Sequence, residues 1–238
     1  TLDGTDLTGL PDLRLELDGL VAGNAAQGGF RLRARAAGGY ALEDLAITVG
    51  SARLAGAVTL DADNRAKGRI ALDAGDLDDL SALLLTELGG SLAATIDLAV
   101  TNGGQDARIA ARGEALGFGD ITLSAFEADM QGRDLLGAPA FAGTARAESL
   151  NVAGQNFTRV AVSAEGVADE TRFTAEAQAQ GFDPDTRGRL TPRDAGFVIG
   201  LDTLSATRGQ RSLALRQPAR IIISDDTVTI EDLTIATN

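Results

Sequence analysis

LAATIDLAV, from Leu92 to Val100, is followed by the turn Asn102-Gly103-Gly104 and then by ARIAARGEA, from Ala107 to Ala115. In the first phrase Leu92, Ala94, Ile96, Leu98 and Val100 alternate with Thr95 and Asp97, and in the second Ile109 and Ala111 alternate with Arg108 and Arg112. A period of two in an extended chain sends one set of side chains to one face of a sheet and the other set to the opposite face. Asn-Gly-Gly between two such runs reads as the tight turn of a hairpin. The same phrase returns as LRLEL from Leu13, FRLRARA from Phe30, AFAGTARAE from Ala140, RVAVSAEG from Arg159, RFTAEAQAQ from Arg172, FVIGLD from Phe197 and TVTIED from Thr227. About fifteen such segments, linked by short turns, predict an all-β chain, a long and mostly antiparallel meander with one apolar face.

That many strands, about 4.8 Å apart, run to roughly 70 Å, more than an open twisted sheet sustains without curling. The expected shape is a U-shaped gutter with its apolar face inside. The residues assigned to that face are Val58, Leu60, Ile70 and Leu72, then Leu92, Ile96, Leu98, Val100 and Ile109. Further along the chain they are Ile121, Leu123, Phe141, Val160, Val162 and Phe173, and after these Phe197, Ile199, Leu201, Ile221, Ile223, Val228 and Ile230. Many inward positions are small, among them Ala107, Ala111, Gly113, Ala115, Gly143, Ala145, Ala147, Ala175, Ala177 and Ala179, and aromatic residues make up only 4% of the chain. Small residues on the inner face leave two readings open, two layers in close contact or a face left partly unfilled. An unfilled face that is long, aliphatic and free of polar anchors suits flexible acyl chains.

The composition excludes several chemistries. With no Cys and no His there is no disulfide, no thiol or imidazole catalysis and no ordinary zinc site. A net charge of −13 repels phosphates and argues against nucleic acid. No apolar run is long enough to span a bilayer as a helix. The chain begins at Thr1 and stops after a strand pattern, so residues 1–238 read as a single segment of a longer protein.

Gly117-Phe118-Gly119-Asp120 has the form of a calcium-binding β-roll repeat, but it occurs once where a roll needs tandem copies, so it reads as a turn. The acidic pairs Glu43-Asp44, Asp78-Asp79, Asp169-Glu170, Asp225-Asp226 and Glu231-Asp232 fall in expected turns or at a helix start, and read as solvated surface acids rather than as a glycosidase pair. Arg31, Arg33 and Arg35 form a ladder expected to pair with acids of an adjacent strand, Glu16 and Asp18. DLDDLSALLLTEL, Asp76 to Leu88, spaces Leu77, Leu80, Leu84 and Leu88 at helical intervals, with Asp76 as cap and Gly89-Gly90 as stop. In ARIIIS, from Ala219, the three isoleucines cannot share one face, so Ile222 points to the polar side or is covered by a neighbouring segment. No catalytic residue, metal ligand or cofactor site emerges.

The last stretch, RSLALRQPARIIISDDTVTIEDLTIATN, sets Leu215, Gln217 and Pro218 before alternating Ile221 and Ile223, the Asp225-Asp226 turn, and Val228, Ile230, Leu233 and Ile235. It resembles the strand-turn-strand phrase of the TamB-type, AsmA-like bridge proteins. DLDDLSALL is similar to that family's short helix, and GGSLAATIDLAVTN with LLGAPAFAGTARAESLNV resembles its glycine, proline and phenylalanine rhythm, carried here by Leu136, Pro139, Phe141 and Gly143. The likeness covers residues from about Asp76 onward; the first 75 follow it only in strand rhythm. It implies a non-enzymatic, periplasm-spanning β-gutter anchored in the inner membrane of a Gram-negative bacterium. In that family the gutter shields phospholipid acyl chains moving between the inner and outer membranes and works, through regions outside this segment, with an Omp85-type outer-membrane barrel. Two other readings stay open: an assembly factor for outer-membrane proteins or autotransporters that binds clients by strand addition, and a passive β-solenoid with a filled core.

Overall fold

The computed structural model describes residues 2–5, 12–152, 154–167, 170–193, 196–224 and 227–237. The strands follow the chain as β1 (Leu2–Thr5), β2 (Asp12–Val21), β3 (Asn24–Ala34), β4 (Tyr40–Val49), β5 (Ala52–Leu60) and β6 (Ala66–Ala74). A 3₁₀ turn (Leu77–Leu80) then runs into the short helix α1 (Ser81–Leu84). After it come β7 (Leu88–Thr101), β8 (Gly104–Phe118), β9 (Ile121–Ser124), β10 (Phe126–Arg133), β11 (Ala140–Val152), β12 (Gln155–Val167) and β13 (Glu170–Gln178). The chain ends with β14 (Asp183–Arg193), β15 (Gly196–Arg208), β16 (Arg211–Leu215), β17 (Ala219–Ser224), β18 (Thr227–Glu231) and β19 (Ile235–Thr237).

All nineteen strands belong to one sheet, in which every pairing is antiparallel. Three long strands are broken in two: β9 and β10 both lie between β8 and β11, β16 and β17 both pair with β15, and β18 and β19 continue outward from them. The meander is what short connections between consecutive strands dictate, since neighbours in sequence become neighbours in the sheet.

The sheet carries devices that bend it. Ala115, Ala125 and Arg159, in β8, between β9 and β10, and in β12, take positive φ of 50°, 44° and 50°, and register shifts interrupt the β3–β4, β4–β5, β7–β8, β12–β13 and β14–β15 ladders. Bulges of this kind twist and curve a strand locally. Gly68 and Gly143 have φ of 146° and 143°, and a Cβ at either would stand 2.1 Å from a carbonyl oxygen of the neighbouring strand. Only glycine allows that approach.

The helix expected over Asp76–Leu88 is shorter. Asp76 caps it as read, its carboxylate accepting from the Asp78 N–H at 3.0 Å. But Leu85 turns left-handed at φ 52°, the Thr86 N–H donates to the Ser81 carbonyl, and Leu88 opens β7, with its N–H donating to Ser81 Oγ at 2.9 Å. Gly89 and Gly90 therefore lie within a strand, where they pair across the β7–β8 bulge instead of ending a helix. Leu77 is buried against Ala52 and Ala74, with Leu80, Leu88, Leu92 and Leu116 around it, while Leu84, assigned by spacing to the inner stripe, is exposed. Asp79 anchors the helical turn to the β4–β5 hairpin by accepting the Ser51 N–H at 2.6 Å.

Candidate functional site

Antiparallel partners lie on the same face, so the register can be followed from strand to strand. One row reads Leu45, Gly56, Ile70, Ile96, Ile109, Met130, Gly143, Ala164, Phe173, Gly188, Leu201, Ala219, from β4 to β17. It contains no polar side chain. A parallel row on the same face links Leu42, Val58, Gly68, Leu98, Ala107, Gly132 and Phe141. It resumes at Thr171, Leu190, Ile199, Ile221 and Ile230. A third runs Ile47, Leu54, Leu72, Ala94, Ala111, Ala128, Ala145, Val162, Ala175.

Most of the predicted residues lie on or beside these rows. Leu92 lies beside Ala74 and Gly113 where the helical turn docks, and Val160 is opposite the buried Ala147. Phe197, Ile223 and Val228 form a row next to that of Ile199. Leu123 is opposite Leu116 and Leu150. Leu60 and Val100 stand at the margin of the face: Leu60 is paired with Ala66 and Val100 with the buried Gln105, whose side chain accepts from the Ala66 N–H at 2.6 Å and donates to the carbonyls of Ala66, Ala99 and Asp106. Ile121 pairs with Phe118 at a hairpin tip, outside the rows. Sequence reasoning passed over Leu45, Leu54, Met130 and Leu190; the alternation of Phe126, Ala128, Met130 and Gly132 carried the signal for one of them. The small positions are functional parts of the packing, since the Phe173 ring lies over Gly188 and a Cβ there would meet it at 2.8 Å.

Little covers this face. Ten apolar residues are buried among those described, six of them alanines, and Ile109, in the middle of the longest row, is 41% exposed. The accessible surface is 14826 Å². A compact protein of this size exposes about 10,000 Å². The excess belongs to a single sheet with no second sheet packed on it among the described residues.

The opposite face is ionic. Arg69 and Asp97 pair through two hydrogen bonds, Arg108 reaches Asp129 at 2.6 and 3.1 Å, and Arg189 reaches Asp202 at 2.7 Å. The Arg31 and Arg33 ladder does pair with acids, but with Asp12 and Glu43 rather than Glu16 and Asp18. The register is the reason: Arg33 is opposite Asp12, whereas Glu16 faces Gly29 and Asp18 faces Gln27. Hydrogen bonds from Arg31, Arg69 and Arg108 hold the carboxyls of Asp12, Asp97 and Asp129 below the ordinary aspartate range. Ile222 lies on this side too, opposite the buried Val198. Depressions also open here. One, of about 560 Å³, is lined by Ala71, Ala93, Thr95, Ala110 and Thr144, by the charged Asp73, Arg112, Glu127, Asp129 and Arg146, and by Leu72, Ala94, Ala111 and Ala128 of the third apolar row.

Among the acidic pairs, Asp44 occupies a bulge at φ 53°, Glu170 bonds Arg172, and Glu231 and Asp232 approach Arg220. Asp169, Asp225 and Asp226 lie outside the described residues. Gly119-Asp120 is the turn joining β8 to β9, and no cluster able to hold a metal ion occurs among the described residues. No helix among them is long and apolar enough to cross a membrane. Comparison with known family models, curated proteins and solved structures finds no match to this chain.

Proposed function

We propose that this chain is a segment of a periplasmic, TamB-like β-gutter that shields phospholipid acyl chains in transit between the inner and outer membranes. The observation that carries the reading is the unbroken apolar row from Leu45 to Ala219, which crosses twelve neighbouring strands without a polar side chain. At about 4.8 Å per step it runs for about 50 Å. Burial of each methylene is worth about 0.8 kcal/mol, so a lipid with some thirty of them leaves a membrane only along a continuous apolar path. A wall of Ala, Ile, Leu and Gly offers that path with no polar anchor to hold the chain at one point. In this reading the apolar rows meet the acyl chains and the ionic face is turned to water. The protein has no catalytic role in this reading; docking to an Omp85-type barrel belongs to regions outside the segment.

A second reading, client binding by strand addition, is favoured by one observation. Among the described residues β18 pairs only with β17, and it carries Val228 and Ile230 at 66% and 57% exposure. Extraction of the purified chain and mass spectrometry of what it releases separates the two. Co-purified phospholipid, retained in EDTA, supports the gutter; none, together with binding of unfolded β-barrel peptides, supports strand addition.

A further inference from the structure

The two rims of the sheet, where the strands turn, differ in chemistry. One carries the exposed Leu136 and Tyr40 but is closed mostly by charge and backbone bonds: Asp61 accepts from Arg65, Arg65 donates to the Gly103 carbonyl at 2.9 Å, and Asp134 accepts from the Ala138 N–H at 3.0 Å. The other presents apolar tips. Leu20 beside the β2–β3 turn is 74% exposed, Leu84 and Leu85 at the end of α1 are 60% and 91%, and Phe118 at the β8–β9 turn is 60%. The Gly119 N–H donates to the Glu87 carbonyl at 3.2 Å, which ties that last tip to the helix end.

Leu85 is the most telling of them. It adopts the left-handed conformation at φ 52°, in which its Cβ crowds the following carbonyl and which Gly or Asn would take more easily. In the fold it gains almost nothing in return, since nearly all of its surface faces water. We infer that this rim rests on the surface of a neutral lipid bilayer, with Leu20, Leu84, Leu85 and Phe118 immersed among the lipids. Protruding single side chains at turns fit a deformable medium better than a flat protein surface. The three tips, residues 18–23, 76–87 and 118–121, contain Asp18, Asp76, Asp78, Asp79, Glu87 and Asp120 and no Lys or Arg; Arg208 and Arg211 flank the β15–β16 turn farther along the rim, so the surface complementary to these three tips is uncharged rather than anionic. From this rim Ala26, Val49, Ala52, Ala74 and Leu92 lead in register onto the apolar face. Use of that row for lateral passage of acyl chains rests on the proposed function; contact with the bilayer does not.

The test is flotation of the 238-residue chain with vesicles of phosphatidylcholine, and with vesicles to which phosphatidylglycerol is added. The chain should float with the neutral vesicles and less with the anionic ones, the difference closing as salt rises. Leu84→Ser with Leu85→Asn and Phe118→Ser should lower the bound fraction at least tenfold, whereas Leu136→Ser on the opposite rim should leave it unchanged. Leu85→Asn alone suits the left-handed backbone, keeps the fold, and should still weaken binding several-fold. Ile96→Asp should retain vesicle binding while losing co-purified lipid, so failure of the gutter reading is distinguishable from failure of this one. Tighter binding to anionic vesicles, wild-type binding by the triple variant, or no flotation at all overturns the inference. So does a wild-type dimer that the triple variant abolishes, which would make the rim a contact between copies.

Discussion

Ile96 and Asp97 are neighbours in β7, and the strands on either side treat them in opposite ways. Asp97 meets Arg69 on one side and Arg108 on the other, so its charge is satisfied within the chain. Ile96 meets Ile70 and Ile109, and Ile109 leaves 41% of its surface open. The comparison extends over the whole sheet: one face closes its interactions internally and the other does not. A face built for stability alone would be covered by a second layer, because apolar surface left in water forgoes about 25 cal/mol per Å². The proposed role assigns the apolar face to a partner other than the sheet itself.

Breaking the apolar row should give the largest effect. Ile96→Asp places a carboxylate in the hydrocarbon path and should reduce lipid recovered with the folded chain more than tenfold, measured by mass spectrometry against protein amount. Asp97→Ala, one residue away, should leave recovery unchanged. Where the apolar face is covered, by the helical turn, stability should depend on packing: Leu77→Ala should cost about 2–4 kcal/mol in denaturant unfolding, and Leu84→Ala, on the exposed side, within about 0.5 kcal/mol.

Acid should then act on the ionic face first. Asp12, Asp97 and Asp129, held low by arginine hydrogen bonds, and Asp61 and Asp79, held low by backbone N–H groups, have folded pKa values below their unfolded ones. Their contribution is present in full above the unfolded value near 3.8 and is lost as pH falls through the folded values. A thermal melt should therefore be flat from neutrality down to about pH 5 and fall below about pH 4. Neutralising a single exposed pair, as in Arg69→Met with Asp97→Leu, should have the smallest effect, a change in melting temperature below that of Leu77→Ala.

The two faces were legible in the sequence to different depths. Period-two alternation identifies the apolar set because each strand states it independently, and Ile96, Ile109, Phe173 and Ile199 all lie on the rows. Pairing is a relation between strands, and alternation within one strand does not fix it. That is why the partners of Arg31 and Arg33 are Asp12, four residues from Glu16 on β2, and Glu43, which lies on β4 at the other side of β3. The bulges at Ala115, Ala125 and Arg159 carry no Gly or Asn to announce them, so the bends of the sheet were hidden. Leu84 and Leu88 misled for another reason: leucines at helical spacing were divided between a helix end and the first residue of a strand.

If the two faces have different partners, the phase of a residue along its strand decides what it touches. Photo-crosslinkers at Ile96, Ile109, Val160 and Val162 should capture phospholipid in cells, while the same group at Asp97, Arg112 and Ser163, on the opposite face, should capture none. Equal capture from both sets, or capture only from the second, would contradict the account.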